Sequence, residues 1–99
     1  MWLNYEFEVY PQDTYWNAVG GVYIFCGLSQ QNRWVPLYIG QAESLAARLP
    51  THARWQEAAR LGATHIHVRV VQARATRDAM EQELIQAYRP QLSTQLKPS

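Results

Sequence analysis

One carboxylate in the last helical stretch stands where an apolar side chain belongs. With the period of a helix run through "TRDAMEQELIQAYR" and Glu81 set at zero, Tyr88 falls about 20° away, Ile85 about 40°, Leu84 about 60° and Met80 about 100°. Glu81 is thus in the middle of the apolar stripe, whereas Glu83 points to the opposite, solvated side. An ionised carboxylate among packing residues is costly unless it is paired or binds a cation. Three arrangements would satisfy it: a salt bridge with Arg77 one turn earlier, a stem that carries the charge to the edge of the core, or a rigidly held ligand for a hard ion such as Mg2+. A second oddity complements it. In "VPLYIGQAESLAARLPTH", from Val35 to His52, an Ala/Leu-rich helix carries Arg48, with His52 one turn on and Leu45 and Trp55 nearby. An ion pair between Arg48 and Glu81 would make all of this structural. The chemical alternative is phosphodiester cleavage, which needs a metal ion, a cation facing the developing charge, and a group that aligns or deprotonates the nucleophile.

The elements that must position these residues can be read in outline. "NYEFEVY" alternates apolar and acidic residues and suits a short strand, and "PQDTYWNAVGG" is turn-rich. "VYIFCGL" is a strand with Val22, Ile24, Cys26 and Leu28 on one face and Tyr23 and Phe25 on the other. After the polar loop "SQQNRW", "VPLYIG" forms the second arm of an antiparallel hairpin. Ser44 can cap a helix beginning at Leu45. Pro50 predicts either a kink or a fresh start capped by Leu49 or Thr51, with the helix resuming through "HARWQEAARL" and ending at Gly62. "THIHVRVV" is a third strand, and Pro90 ends the last helix. The order β-β-α-β-α, with an N-terminal strand as an option, predicts a small mixed sheet packed by helices in α/β layers. His65 and His67 share one strand face with no third ligand nearby, which favours an exposed face over a metal pair.

Composition narrows the class. A chain of 99 residues that is 47% hydrophobic fits one domain. Cys26 is the single cysteine, so neither an internal disulfide nor a cysteine-rich zinc site is available, and its place in an apolar run marks it as core. The start "MWLNYEFEVY" has no signal-peptide character, and no apolar run is long enough to span a membrane; the expectation is a cytoplasmic protein. The net charge of +1 conceals an uneven distribution. Residues 1–32 carry Glu6, Glu8 and Asp13 with no Lys or Arg. Residues 33–77 set Arg33, Arg48, Arg54, Arg60, Arg69, Arg74 and Arg77 against Glu43 and Glu57. Arginine suits bidentate phosphate contacts, although scattered arginines are also what a solvated face carries.

The motifs together resemble a known family. "GVY" (Gly21 to Tyr23) followed by "YIG" (Tyr38 to Gly40) is similar to the two half-motifs of the GIY-YIG nuclease superfamily. "YIGQAESLAARL" is similar to the family's run into a helix with an essential arginine, here Arg48. "EQELIQAYRP" is similar to the family's metal-binding glutamate, a Leu-Ile pair and a later proline, which places that role on Glu81. The likeness spans about residues 20–93 and implies a three-stranded antiparallel sheet flanked by helices. It also implies hydrolysis of nucleic-acid phosphodiester bonds, DNA before RNA, with one Mg2+ or Mn2+ ion. By that resemblance Tyr23 aligns or deprotonates the attacking water and Arg48 stabilises the pentavalent transition state. Glu81 holds the metal, and Tyr38 lines the site. His52 matches a histidine that some members carry one turn after the arginine, as a base or a phosphate contact. Gly40, Gln41, Arg48 and Arg54 are the implied nucleic-acid contacts.

One position departs from the pattern. The family usually has an asparagine a few residues past the proline, and "RPQLST" puts Ser93 there. A hydroxyl can make one of the asparagine's hydrogen bonds but not its amide pair. The expected organisation is an N-terminal extension over 1–19 packing on the domain, a nuclease-like domain over 20–93 and a tail over 94–99. Two rival readings remain open at this point. One is a module of the same fold that binds nucleic acid without turning it over. The other is a protein-interaction domain whose four tryptophans form an exposed patch. Substrate structure and oligomeric state are not legible. With no second recognition domain, weak sequence preference, targeting by a protein partner, or recognition through the N-terminal extension are the expected alternatives.

Overall fold

The computed structural model describes residues 1–93, so the expected tail over 94–99 lies outside the described residues. Four strands form one antiparallel sheet in the order β1-β4-β2-β3: β1 Glu8–Pro11, β2 Gly21–Leu28, β3 Trp34–Ala42 and β4 Ala63–Val70. Helices α1 (Leu45–Arg48) and α2 (Trp55–Arg60) join β3 to β4, and α3 (Arg74–Tyr88) follows β4. The sheet is therefore antiparallel throughout rather than mixed. It has one strand more than the three implied by the resemblance, because β1 pairs along β4 with Glu8 opposite Val68 and Pro11 opposite His65. That strand starts later than the alternation in "NYEFEVY" predicts. Tyr5 and Phe7 leave the ladder and pack instead on the core beneath α3.

The central strand β2 is buried on both faces, and its alternation divides the interior into two layers. Tyr23 and Phe25 join Leu45, Leu49, Ala58, Ile66 and Val68 under α1 and α2. Val22, Ile24 and Cys26 join Ile39, Met80, Leu84 and Trp2 on the other side. Each fully buried aliphatic or aromatic side chain in these layers contributes on the order of 1.5–3 kcal/mol of transfer free energy. Cys26 is fully buried in the second layer, and burial pushes its thiol well above the ordinary range. In the β2–β3 pair the register slips between Phe25 and Cys26, so Leu37 is an extra residue on β3 and turns into the first layer.

Helix α1 begins as its sequence predicts. Ser44 Oγ accepts from the Ala47 amide at 3.3 Å, and the carbonyls of Val19 and Asn17 take the amides of Leu45 and Ala46. Pro50 then ends the helix more completely than a kink would. Leu49–Thr51 is a 3-10 turn, His52 is extended (φ −67°, ψ 128°), and α2 starts only at Trp55. Neither Leu49 nor Thr51 caps the new helix. Arg54 is the N-cap and no side chain caps α2; in the turn just before it, His52 Nδ1 accepts from the Arg54 amide at 3.0 Å. Gly62, at φ +108°, closes α2. Helix α3 starts at Arg74, two residues earlier than its sequence pattern suggests, and ends with Arg89 in the left-handed region before Pro90.

His67 is not on an exposed face. The N-terminal segment folds over it, and Trp2 Nε1 donates to His67 Nδ1 at 2.9 Å while the ring of Trp34 stands edge-on 4.5 Å away. The tryptophans form no exposed patch: Trp2 is buried, and Trp16, Trp34 and Trp55 are half-buried against the two layers. Among the described residues no helix is long and apolar enough to cross a membrane.

Candidate active site

β3 is an edge strand, and the two helical layers meet around its open side. A cleft of about 490 Å³ lies there, and its walls include Tyr38 and Ile39 from β3, Arg48 from α1, His52 and Arg54 from the linker to α2, Glu81 and Ile85 from α3, and Ser93. Glu81 approaches from one face of the sheet, and Arg48 and His52 approach from the other. Tyr23 lies directly beneath, with no exposed surface. Its hydroxyl is 2.7 Å from His52 Nε2, and its ring makes a tilted contact with Tyr38 at 6.3 Å between centroids. The expected residues Tyr23, Tyr38, Arg48, His52 and Glu81 thus converge, although the helix expected to carry both Arg48 and His52 is broken between them.

Gly40 is buried under the same group. A Cβ there would lie 2.8 Å from Tyr23 Oη and 2.9 Å from the Tyr38 ring, so only glycine allows both rings to seat. Gln41 is engaged with α3: its amide oxygen accepts from Arg77 Nε at 2.9 Å, and its amide nitrogen donates to Asp78. Arg77 also donates to the carbonyls of Val71 and Gln72, so this buried guanidinium ties the start of α3 to β3 and to the end of β4. Arg54 pairs with Glu57 at 2.9 Å while still lining the cleft.

Ser93 corrects the expectation about its hydroxyl. It accepts from the Ile39 amide at 2.6 Å and donates to the Ile39 carbonyl at 2.9 Å, so one hydroxyl makes both a donated and an accepted bond. Next to it, the Leu92 amide donates to the Leu37 carbonyl at 3.0 Å. Residues 92 and 93 therefore cover the open hydrogen-bonding edge of β3 at the cleft.

The electrostatics combine buried rings with opposed charges lining an open cleft. Burial raises the pKa of Tyr23 far above the ordinary phenol range, with Tyr38 adding to it. The charge and hydrogen bonding of Arg48 oppose the rise, and the charge of Glu81 adds to it. Tyr38 is also raised, first by burial and then by Glu81, against Arg48 and Arg54. His52 is lowered to about 4 by burial, then by the charges of Arg48 and Arg54. At neutral pH the tyrosines are phenols and the histidine is uncharged.

Glu81 is half-buried on α3 and presents its carboxylate to the cleft. No group of three or more His, Cys, Asp or Glu that could cage a metal occurs among the described residues. The donor set suits a hard ion such as Mg2+ held by one carboxylate with water at its other positions. Arg74, one of the basic residues of the chain's centre, lies beside this site. It lines a second hollow of about 500 Å³ that shares Ala47 and Arg48 with the cleft. Arg74 is seven residues before Glu81, hence about 20° away on the helical wheel, and it pairs with Asp78 at 3.8 Å.

No protein-family model and no curated protein matches the chain. Among solved structures it is similar to the GIY-YIG N-terminal endonuclease domain of UvrC from Thermotoga maritima. With that domain bound to magnesium, its catalytic divalent cation, the chain shares 30% identity over 76% of its own length and 83% of the other, with a TM-score of 0.61. Two point mutants of the domain, each bound to its catalytic divalent cation, share 28% identity over 81% of this chain and 88% of theirs, with TM-scores of 0.66 and 0.63.

Proposed function

Because the chain belongs to the GIY-YIG nuclease superfamily, we propose that it is a divalent-cation-dependent endonuclease that hydrolyses phosphodiester bonds in nucleic acid, DNA before RNA. The observation that carries this reading is the convergence of Arg48, His52, Tyr38 and Glu81 on one cleft above the Tyr23 hydroxyl, from four separate segments of the chain.

Each residue has a part that its surroundings allow. Glu81 would hold Mg2+ or Mn2+, which when bound supplies Lewis-acid polarisation of the phosphate. Arg48 is exposed at the rim and carries a permanent positive charge, so it faces the negative charge that grows on the phosphorus oxygens as water adds. Tyr23 is a phenol at neutral pH, which suits alignment of the attacking water. Tyr38 packs beside Tyr23 and lines the cleft. Arg54 adds a second positive charge on the side of His52 and would contact a neighbouring phosphate. As the water oxygen bonds to phosphorus it gives up a proton to solvent, the bond to the leaving oxygen breaks, and that oxygen takes up a proton from solvent, so the proton count is unchanged.

The test is cleavage of single-stranded, duplex and branched DNA, and of RNA, with and without Mg2+, by the wild type and by Glu81→Ala. Metal-dependent cleavage by the wild type, lost in the variant, is expected. Equal cleavage by both would remove Glu81 from the site. Salt-dependent binding without cleavage in Mg2+ would leave a nucleic-acid-binding module.

A further inference from the structure

The hydrogen bond between Tyr23 and His52 has a fixed direction. His52 Nδ1 lies 3.0 Å from the backbone nitrogen of Arg54. A backbone N–H can only donate, so Nδ1 must be the unprotonated nitrogen. A neutral imidazole carries one proton, which is therefore on Nε2, and Nε2 is the atom 2.7 Å from Tyr23 Oη. The histidine donates and the phenol oxygen accepts. Tyr23's own proton must then point away from His52.

The same assignment leaves His52 with no free lone pair. Nδ1 is filled by the Arg54 amide, and Nε2 carries the proton aimed at Tyr23. The ring is further locked by edge-on contacts with Tyr23, Phe25 and Tyr38, at centroid distances of 5.4, 4.9 and 5.2 Å. A proton acceptor needs an open nitrogen, and a phosphate contact needs a donor facing the cleft; this ring offers neither. The local sequence explains why. Pro50 ends the helix, the 3-10 turn delivers His52 in an extended conformation, and that lets its ring turn back onto the Arg54 amide instead of continuing a helical face.

Resting on the nuclease reading, we propose that His52 is a positioning residue: a donor locked in one tautomer that holds the Tyr23 oxygen and turns the Tyr23 proton toward the attacking water. Its role is to pre-set the direction of a single hydroxyl.

Two measurements test this. A two-bond 1H–15N correlation spectrum of the wild-type protein reads the His52 tautomer directly. A proton on Nε2 alone is expected at neutral pH; a proton on Nδ1, or on both nitrogens, overturns the proposal. The second measurement is steady-state cleavage of DNA in Mg2+ by His52→Leu and His52→Gln, with melting temperatures recorded for both. His52→Leu removes the donor and should lower kcat roughly 10- to 100-fold with KM within about twofold. His52→Gln restores an N–H donor and should recover most of the rate. A rise in KM alone, an unchanged kcat in His52→Leu, or no recovery in His52→Gln overturns the proposal. Absence of wild-type cleavage would refute the nuclease reading, and the spectrum would still decide the direction of the bond.

Discussion

The two sides of the sheet each bury a histidine beside an aromatic heteroatom, yet only one side is built for chemistry. On one face His52 meets the Tyr23 hydroxyl at 2.7 Å; on the other His67 receives the Trp2 indole N–H at 2.9 Å. Both imidazoles are lowered to about 4, chiefly by burial. The difference lies in what surrounds them. His52 adjoins a cleft that contains Arg48, Arg54 and Glu81. His67 is sealed between Trp2 and Trp34, and among the described residues its Nε2 has no hydrogen-bond partner. A buried histidine with a displaced pKa is therefore no mark of a site by itself. An open cleft with opposed charges is what separates the two.

The sharpest way to break this comparison is to remove charge from the cleft. Glu81→Ala should lower metal-dependent cleavage on the order of a thousandfold or more, and Arg48→Ala should lower kcat on the order of a hundredfold with a smaller effect on KM. Both variants should keep the wild-type melting temperature within a few degrees; a large fall in either would mean that the two residues serve the fold. The opposite pattern is expected across the sheet. Trp2→Ala should cost about 3–5 kcal/mol of stability in denaturant unfolding, with cleavage per folded molecule unchanged. A loss of kcat in that variant would show that the two faces are coupled.

Ser93→Ala should fall between these extremes. It removes both bonds to the Ile39 backbone and should cost roughly 1–3 kcal/mol, measured by the shift in urea midpoint. A neutral effect would mean that water replaces the hydroxyl at the β3 edge. The last comparison is the pH dependence. Both histidines have folded pKa values below the ordinary 6.5, near 4. Above pH 6.5 both are neutral whether folded or not and contribute no slope. Between about 6.5 and 4 the unfolded chain takes up protons that the folded chain refuses, so stability falls on acidification and this contribution levels off near pH 4. Urea midpoints across that window should show the slope, and His67→Leu should reduce it while leaving the cleavage rate alone.

Much of the site was legible before folding was considered. Glu81 was conspicuous because helical periodicity is local arithmetic, and the two glycine-tyrosine half-motifs lie on strands whose apolar alternation is equally local. The N-terminal segment was harder to read. Whether "NYEFEVY" pairs, and where, depends on β4 lying across the molecule and on the seat that His67 and Tyr88, far along the chain, give to Trp2. His67 looked exposed for the same reason: alternation assigns a side chain to a face but cannot say what covers it.

Ser93 and His52 show where local reading ended. For Ser93, the sequence shows a hydroxyl where an asparagine is usual, which looks like a lost hydrogen bond. The unpaired edge of β3 at Ile39 turns it into two. For His52, the sequence shows a proline before it and predicts a displaced ring. The 3-10 turn and the Arg54 amide instead give the ring one orientation and one tautomer.

The sequence by itself determined the parts of this protein: a carboxylate on an apolar stripe, an arginine on the helix after the second motif strand, and two tyrosines on paired strands. Only the tertiary structure decided that they share one cleft and which way the proton between Tyr23 and His52 points. The reason is physical. Residue type and period are set by neighbours along the chain, whereas a cleft at a sheet edge and the direction of a buried hydrogen bond are set by groups that meet only after the layers have packed.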